Sequence, residues 1–554
     1  MGTMISPMND SSSSWAPTHR SGLASLPLAL LGAACVAPGS MRVEVRAIDE
    51  PVQASSAAAT TPASARSASS ASRSADQRPV EHAGPRVAGS QPIEAPSTAN
   101  VVAGWPLASS FVRGTVDDTQ ASEGPWLLSE QLALPEWLDL TLEQQIRYEG
   151  LDEDFRKDFS GSNQLWSVRH VLGATIEGDS TWGQVEIADV RALDVPTGKF
   201  ISPGIVDALD LLTAMVGFRW EDAIADGDSL DLRLGRQTLD LGARRLVARN
   251  RFRATINAFT GAASTWLGGD TRVDSFAFMP VQRLPTDPQE LRDNVIEFDE
   301  EQERTLFTGV HVTWPVFDDT ATGELYGYGL IEDDEADVEK LNRRLLTLGG
   351  RVSDMPGPGE FGYDSETALQ FGKSRASKSS TEDLDHLAWW THLTVQYRFE
   401  GTTRPRLGFL FDWGTGDDDP NDGQNNRFDG LYGARVPELG PAALYGPFSR
   451  NNLISPGVRF EFDPAPDVAV RMTHRLYWLD SDTDFFGATR LRDATGNSGS
   501  FGGQGFDARV RYDIAPGNLR LEAGFAHLFA GEFMDEVDGE GDTTYFYVQT
   551  NLTL

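Results

Sequence analysis

The sequence predicts an all-β protein: a single transmembrane antiparallel β-barrel of about 18 strands, behind a disordered N-terminal arm. Three observations carry this reading. From residue 135 onward, apolar and polar side chains alternate with period two, the mark of strands with unlike faces. The gaps between the alternating runs are themselves alternately short and long. Finally, the polar faces carry arginines and carboxylates together, while Trp and Tyr recur at run ends (Trp137, Tyr148, Trp220, Trp314, Trp413, Tyr512), where membrane-interface girdles sit.

Composition narrows the function. The chain has 554 residues, 82 acidic and 47 basic side chains and a formal net charge of −35. No nucleic-acid partner is expected, because such a partner calls for a basic face. The one cysteine, Cys35, excludes a disulfide framework, a thiolate metal cluster and a CxxC redox pair. Lysine stands only at 157, 199, 340, 373 and 378, leaving 47 − 5 = 42 arginines. Arginine's planar fork suits fixed pairing with carboxylates and sulfates better than a mobile ammonium does.

In chain order, residues 1–37 read as a secretory signal: His19-Arg20, an apolar core over 23–37, then small residues for cleavage. The core is shorter than the roughly 18 apolar residues of a membrane helix. Leu31-Gly32-Ala33-Ala34-Cys35 offers a lipobox as the alternative, with glycine three places before the cysteine. Residues 38–100 form a disordered arm, because from about Glu50 to Asn100 the composition collapses to Ala, Ser, Thr, Pro and Arg, too little apolar surface to offset ordering entropy. Residues 101–134 form a periplasmic pre-barrel segment whose anchors (Trp105, Phe111, Trp126) suit it to tuck against the barrel or plug it.

The barrel follows over 135–554. Its runs are 137–149, 163–176, 181–192, 212–220, 229–241, 254–267, 271–281, 305–317, 324–332, 341–353, 359–372, 385–400, 404–414, 455–463, 467–480, 505–513, 517–530 and 543–554. Gaps 177–180, 268–270, 401–403, 464–466 and 514–516 are short; 193–211, 282–304, 415–454 and 481–504 are long and polar. Outer-membrane barrels have this asymmetry, with short periplasmic turns and long external loops. Parity breaks at two places, Gly235-Arg236 and Ala188-Asp189, where a bulge would restore register and re-aim a side chain.

The catalytic inventory points away from an enzyme: HExxH, GxxxxGK and GxSxG are missing, and the eight histidines lack metal-ligand spacing. Carboxylate pairs on the inner faces lie among arginines, which favours salt bridging over acid–base chemistry. The main constellation is arginine on the inner faces: Arg147, Arg169, Arg398, Arg406, Arg459, Arg471, Arg475, Arg509, Arg511 and Arg520. Rings of basic side chains in a pore favour anions. The alternative is a structural lattice cancelled by Glu143, Glu186, Glu400, Asp412, Glu461, Asp507, Asp513 and Glu522, and counting leaves both open. No cofactor is expected apart from calcium in the 416–423 loop, where Asp417, Asp418, Asp419 and Asp422 offer closely spaced oxygens. A solvated acidic turn is the competing reading of that loop.

Several stretches together resemble the alginate-export family of outer-membrane barrels. Pro135-Glu136-Trp137-Leu138 with Arg147-Tyr148-Glu149 looks like that family's opening strand. Glu186-Ile187-Ala188-Asp189-Val190-Arg191 resembles its strand ending in Asp-x-Arg, and Leu232-Arg233-Leu234-Gly235-Arg236-Gln237, Leu241-Gly242 and Arg245-Leu246-Val247 its most recognisable motif. Glu366 with Gln370-Phe371-Gly372, the Gly416-Asp417 loop to Phe428, and Tyr545-Phe546-Tyr547-Val548-Gln549 are also similar. The resemblance implies a barrel in a diderm outer membrane that passes an anionic uronate polysaccharide through an arginine-rich lumen, served by periplasmic export partners. It adds Asp189, Arg191, Arg236, Gln237 and Arg245 as motif residues, with Arg191 and Arg236 lining the pore. It also implies a long plug late in the chain; the turn at 514–516 is too short for one, which leaves residues 105–135 as the alternative. A general or anion-selective diffusion porin is the competing function on the same fold. From other classes, an outer-membrane hydrolase or a non-conducting structural barrel competes.

Overall fold

A strand in hydrocarbon must hand every backbone N–H and C=O to a neighbour, so a membrane sheet has to close on itself. The computed structural model of the chain describes residues 125–554 except 318, 335–339, 420, 437 and 538–540. The expectations for the signal, the arm and residues 101–124 lie outside the described residues. Eighteen long strands form one sheet. They are β1 (Leu138–Asp152), β2 (Asn163–Glu177), β3 (Thr181–Leu193), β4 (Asp207–Glu221), β5 (Ser229–Gln237) and β6 (Phe259–Gly268). Next come β7 (Thr271–Gln282), β8 (Thr305–Val316), β9 (Ala321–Glu332), β10 (Arg344–Asp354), β11 (Glu360–Ser374) and β12 (Leu384–Arg398). Last are β13 (Arg406–Gly414), β14 (Leu453–Ala465), β15 (Val468–Trp478), β16 (Phe501–Ala515), β17 (Leu519–Ala530) and β18 (Thr543–Thr553). Each of the eighteen predicted runs overlaps one strand.

Consecutive strands pair antiparallel, and β18 returns to β1 from Glu143↔Thr553 to Asp152↔Thr544, closing the barrel. The connectors at one end are short (178–180, 269–270, 317–320, 466–467, 516–518), and those at the other are long (238–258, 283–304, 415–452, 479–500). Facing follows the pleat. On β2, Ser167, Arg169 and Thr175 are buried inward, while Trp166, Leu172 and Ile176 stand exposed outward. Residues 125–134 sit at the short-turn end: Trp126 donates its backbone N–H to Asn518 Oδ1 at 2.8 Å, and Asn518 Nδ2 donates back to the Trp126 carbonyl.

Both expected parity breaks resolve differently from a bulge in the named strand. β5 runs in unbroken register with both neighbours and simply stops at Gln237. Residues 238–258 do not extend β5 and β6 upward, as the runs 229–241 and 254–267 predict. They fold into the barrel instead. The second break does coincide with register shifts, at Glu186/Ile187 and Ala188/Val190, but the extra residues belong to β4, which begins at Asp207 instead of 212. β3 keeps its parity against β2 throughout.

The core therefore lies inside the barrel and is built from loops. Leu239, Leu246, Val247 and Phe428 pack on the inward aromatics Phe259, Phe276, Phe278, Phe307, Tyr326 and Tyr328. A second cluster joins Phe155, Ile205, Leu291, Leu444, Phe448 and Phe486 to Tyr477, Tyr545 and Tyr547. The outward face of Leu369, on β11, tests the assignment of lipid and lumen. Leu369→Arg is expected to cost about 2–4 kcal/mol of folding stability in a bilayer, read by reversible denaturant unfolding. A cost under about 0.5 kcal/mol, ordinary for a surface change, would contradict it.

Candidate functional site: the lumenal constriction

The inward turn begins where only glycine fits. Gly242 has φ +50°, and a Cβ there would come within 2.4 Å of Glu324 Oε2 and 3.0 Å of His311 Cε1, both on the facing wall. The turn is closed by Arg244 N–H donating to the Leu241 carbonyl (2.8 Å) and Leu241 N–H to the Val247 carbonyl (3.2 Å). This aims Arg245 at the β10–β11 wall. Its guanidinium meets Asp364 at 2.8 Å, Glu366 at 2.7 Å and Glu438 at 3.0 Å. Around it, Arg351 holds Asp364 (2.8 Å) and Glu324 (2.6 Å), and the Tyr326 hydroxyl donates to Glu366 (2.8 Å). Burial opposes the Arg245 charge, yet Asp364, Glu438 and Glu366 outweigh it and hold its pKa well above the ordinary arginine value.

The loop reaches the opposite wall as well. Arg169 on β2 pairs with Glu143 and donates to the carbonyls of Arg251, Arg253 and Ala254. Arg147 on β1 donates to the Phe252 carbonyl, with its guanidinium 4.3 Å from the Phe252 ring centre. Residues 238–258 thus cross the lumen from β1–β3 to β9–β11. The second inward loop, 415–452, runs along them: Val247 and Tyr432 form a parallel bridge, and Ala434 N–H donates to the Arg244 carbonyl at 2.9 Å. It crosses to β1, where Leu444 N–H donates to Glu149.

The predicted arginines divide into three groups. Most on the inner wall are neutralised: Arg169 by Glu143, Arg406 by Glu461 (3.4 Å), Arg475 by Asp412 (2.6 Å), Arg511 by Glu522 (2.6 Å) and Arg520 by Asp513 (2.6 Å). Arg147 is wholly buried and donates to Gln549 at 2.7 Å. A second group crowds like charges. Arg471 faces Arg509 directly across β15–β16, Arg398 faces Arg406 across β12–β13, and Arg459 lies beside them on β14. Like charges directly opposite destabilise a sheet. Among the described residues, neither Arg398 nor Arg509 has an ion pair.

The third group corrects an expectation. Asp189 and Arg191 keep the parity of Val185 and Ile187, which face lipid, and pair with each other at 2.8 Å. Arg236 shares the face of Leu230, Leu232 and Leu234, and binds Asp210 (3.2 Å) and Glu301 (2.8 Å). These motif residues therefore do not line the lumen. Gln237 is buried inward. Among the described residues the 416–423 carboxylates do not form a cluster of three: Asp419 and Asp422 accept backbone N–H groups of Asn421 and Gln424, as turn residues do, while Asp417 accepts from Asn426.

Sequence reading missed Arg253 and Arg435, one on each inward loop. Arg253 donates to Asn257 Oδ1, and Arg435 donates to the Gly446 carbonyl at 2.7 Å. Among the described residues neither has an ion pair. Burial, then Arg283 and Arg435, pushes Arg253 well below the ordinary arginine range; burial, then Arg156 and Arg450, brings Arg435 down to about 10. Loop arginines carry no periodicity, so no sequence signal separates these two from other loop cations.

A family model described as Alginate export matches residues 136–548. No curated protein matches the chain. Similar solved structures include the outer membrane protein OpdK from Pseudomonas aeruginosa, with 12% identity and a TM-score of 0.48, over 75% of this chain and 99% of that one. OccK9 (OpdG) from the same organism gives 13% identity and a TM-score of 0.49, over 75% and 98%. OprD, also from that organism, gives 13% and 0.48, over 75% and 93%.

Two measurements probe the constriction. Arg245→Ala leaves Glu366 without its cation and leaves Asp364 to Arg351 and Glu438 to Arg450 alone, at a cost of about 3–5 kcal/mol. It is expected to release both loops and raise single-channel conductance while the barrel stays folded; unchanged conductance would mean the pair does not narrow the path. The second is pH. Burial alone would raise the Glu438 carboxyl from its ordinary 4.5, but Arg245 and Arg450 outweigh it and hold it at about 2. A depressed pKa stabilises fully above about 4.5 and is lost as pH falls toward 2. Conductance should therefore stay level from pH 8 to 5 and rise only below 4.5.

Proposed function

The chain belongs to the alginate export family, and from that premise we propose that this outer-membrane channel passes an anionic polysaccharide or oligosaccharide, of alginate type, through an arginine-lined lumen. The observation that carries the reading is the pair Arg253 and Arg435. Both come from the loops that narrow the lumen, and among the described residues neither has a carboxylate partner. A cation held in a partly desolvated constriction favours a permeant that brings negative charge with it. Arg398 and Arg509, which have no ion pair among the described residues, extend the same preference along the β12–β16 wall. A uronate chain, with one carboxylate on each sugar, would meet these guanidiniums in succession and be held by forked hydrogen bonds.

A second reading, an anion-selective diffusion porin, is favoured by the constriction itself. Two loops locked on Arg245 narrow the path, which suits short anions better than a polymer unless the loops move. Both readings place the short-turn rim, where Trp126 meets Asn518, toward periplasmic export partners, and the apolar outer face toward lipid.

Reversal potential in a planar bilayer under a KCl gradient, with an oligouronate on one side, decides the matter. We expect anion preference and current block. Arg253→Ala/Arg435→Ala should weaken block about tenfold, equivalent to ~1.4 kcal/mol, and reduce anion preference. Arg398→Ala/Arg509→Ala should do so to a smaller degree. Cation preference without block would exclude the anionic-saccharide reading; anion preference without block would favour the porin.

A further inference from the structure

In a regular strand, residues three apart point to opposite faces. Asp207 and Asp210 are such a pair, yet the register shifts between β3 and β4, with Leu209 at φ +58°, turn both carboxylates to one place. The 283–304 loop crosses β4 there and adds Asp299. Its backbone N–H donates to Asp210 Oδ2, and its own Oδ1 accepts from Leu284 N–H at 2.8 Å. One carboxylate oxygen from each of Asp207, Asp210 and Asp299 lies within 4.8 Å of the others.

Three acids alone are no site, but Asp207 adds an independent fact. Its side chain is 94% buried, and its Oδ1 has no hydrogen-bond partner. A buried oxygen without a donor keeps its desolvation penalty uncompensated, the more so when charged. Among the described residues no nearby cation hydrogen-bonds it. Arg236 is shared between Asp210 and Glu301. Arg283 donates through Nε to the Pro203 carbonyl and through Nη1 to the Ile256 carbonyl and Asn257 Oδ1. Four carboxylates (Asp207, Asp210, Asp299, Glu301) against two guanidiniums leave an excess of two negative charges, which one divalent ion would cancel.

We propose that Asp207, Asp210 and Asp299 hold a divalent cation, calcium in preference to magnesium, which fastens the 283–304 loop to the rim of the barrel. All the ligands are oxygens, as a hard cation requires. Calcium accepts irregular sets of carboxylate oxygens drawn from strand and loop, whereas magnesium demands near-ideal octahedral geometry and usually keeps only one or two carboxylates. The fastened loop matters because β5 stops early. Residues 299–301 cover Arg236 and Thr260 on the outer face beside that gap, and Arg283 at the loop's start reaches Asn257 of the constriction.

The test uses the full chain in detergent, stripped with EGTA and titrated calorimetrically with CaCl2 alone, then with MgCl2. We expect one calcium ion per chain, magnesium at least tenfold weaker, and a Tm raised by about 2 °C or more. Asp207→Asn/Asp299→Asn should lose the ion and the Tm shift while keeping the heat-modifiable mobility of a folded barrel. If that variant fails to fold, Asp299→Asn alone, on the loop, decides by whether the calcium-dependent rise in Tm disappears. No uptake by the native chain would overturn the proposal, as would full uptake by the variants, which would move the ion to another acidic loop.

Discussion

Everything in this chain answers to one constraint: a strand edge cannot be left open in hydrocarbon. Eighteen strands satisfy it only because β18 lies against β1, residues 143–152 pairing with 544–553. Closure then imposes facing. Once the outside is given to Leu172, Leu369 and Val548, every alternate residue must point inward, and charge has nowhere else to go. The dense ion-pair lattice of the interior is a consequence of closure before it is a device for transport.

That order of causes separates structure from selectivity. Arg475–Asp412, Arg169–Glu143 and Arg511–Glu522 are satisfied pairs, and removing one partner would chiefly expose the other. The informative cations are those that closure does not explain. Arg253 and Arg435 reside on loops and are under no obligation to face inward; they do so because Arg245 and the Val247–Tyr432 bridge carry them there.

Period-two patterning made nearly all of the barrel legible, because a strand between lipid and lumen has two different solvents and must advertise both. Gap lengths supplied the topology for the same reason: one end turns tightly while the other carries the loops. What stayed hidden was non-local. Asp189, Arg191 and Arg236 are polar residues on an apolar face, which their polarity and the resemblance assign to the wrong side, and the loop covering Arg236 gives it polar partners there. The path of residues 238–258 was hidden as well. Their apolar residues continue the β5 and β6 patterns by accident of spacing, yet they pack on inward aromatics. The resemblance singled out Arg245 without its partners, which come from β11 and from the second inward loop.

The bridge between Val247 and Tyr432 has a mechanical consequence. Two loops that share backbone hydrogen bonds cannot be displaced separately, since moving either strips N–H and C=O groups on both. Their motion is therefore cooperative, like the parting of a short two-stranded ribbon. An electrical recording of the pore would then show abrupt steps between two current levels with long dwell times, and no continuous flicker.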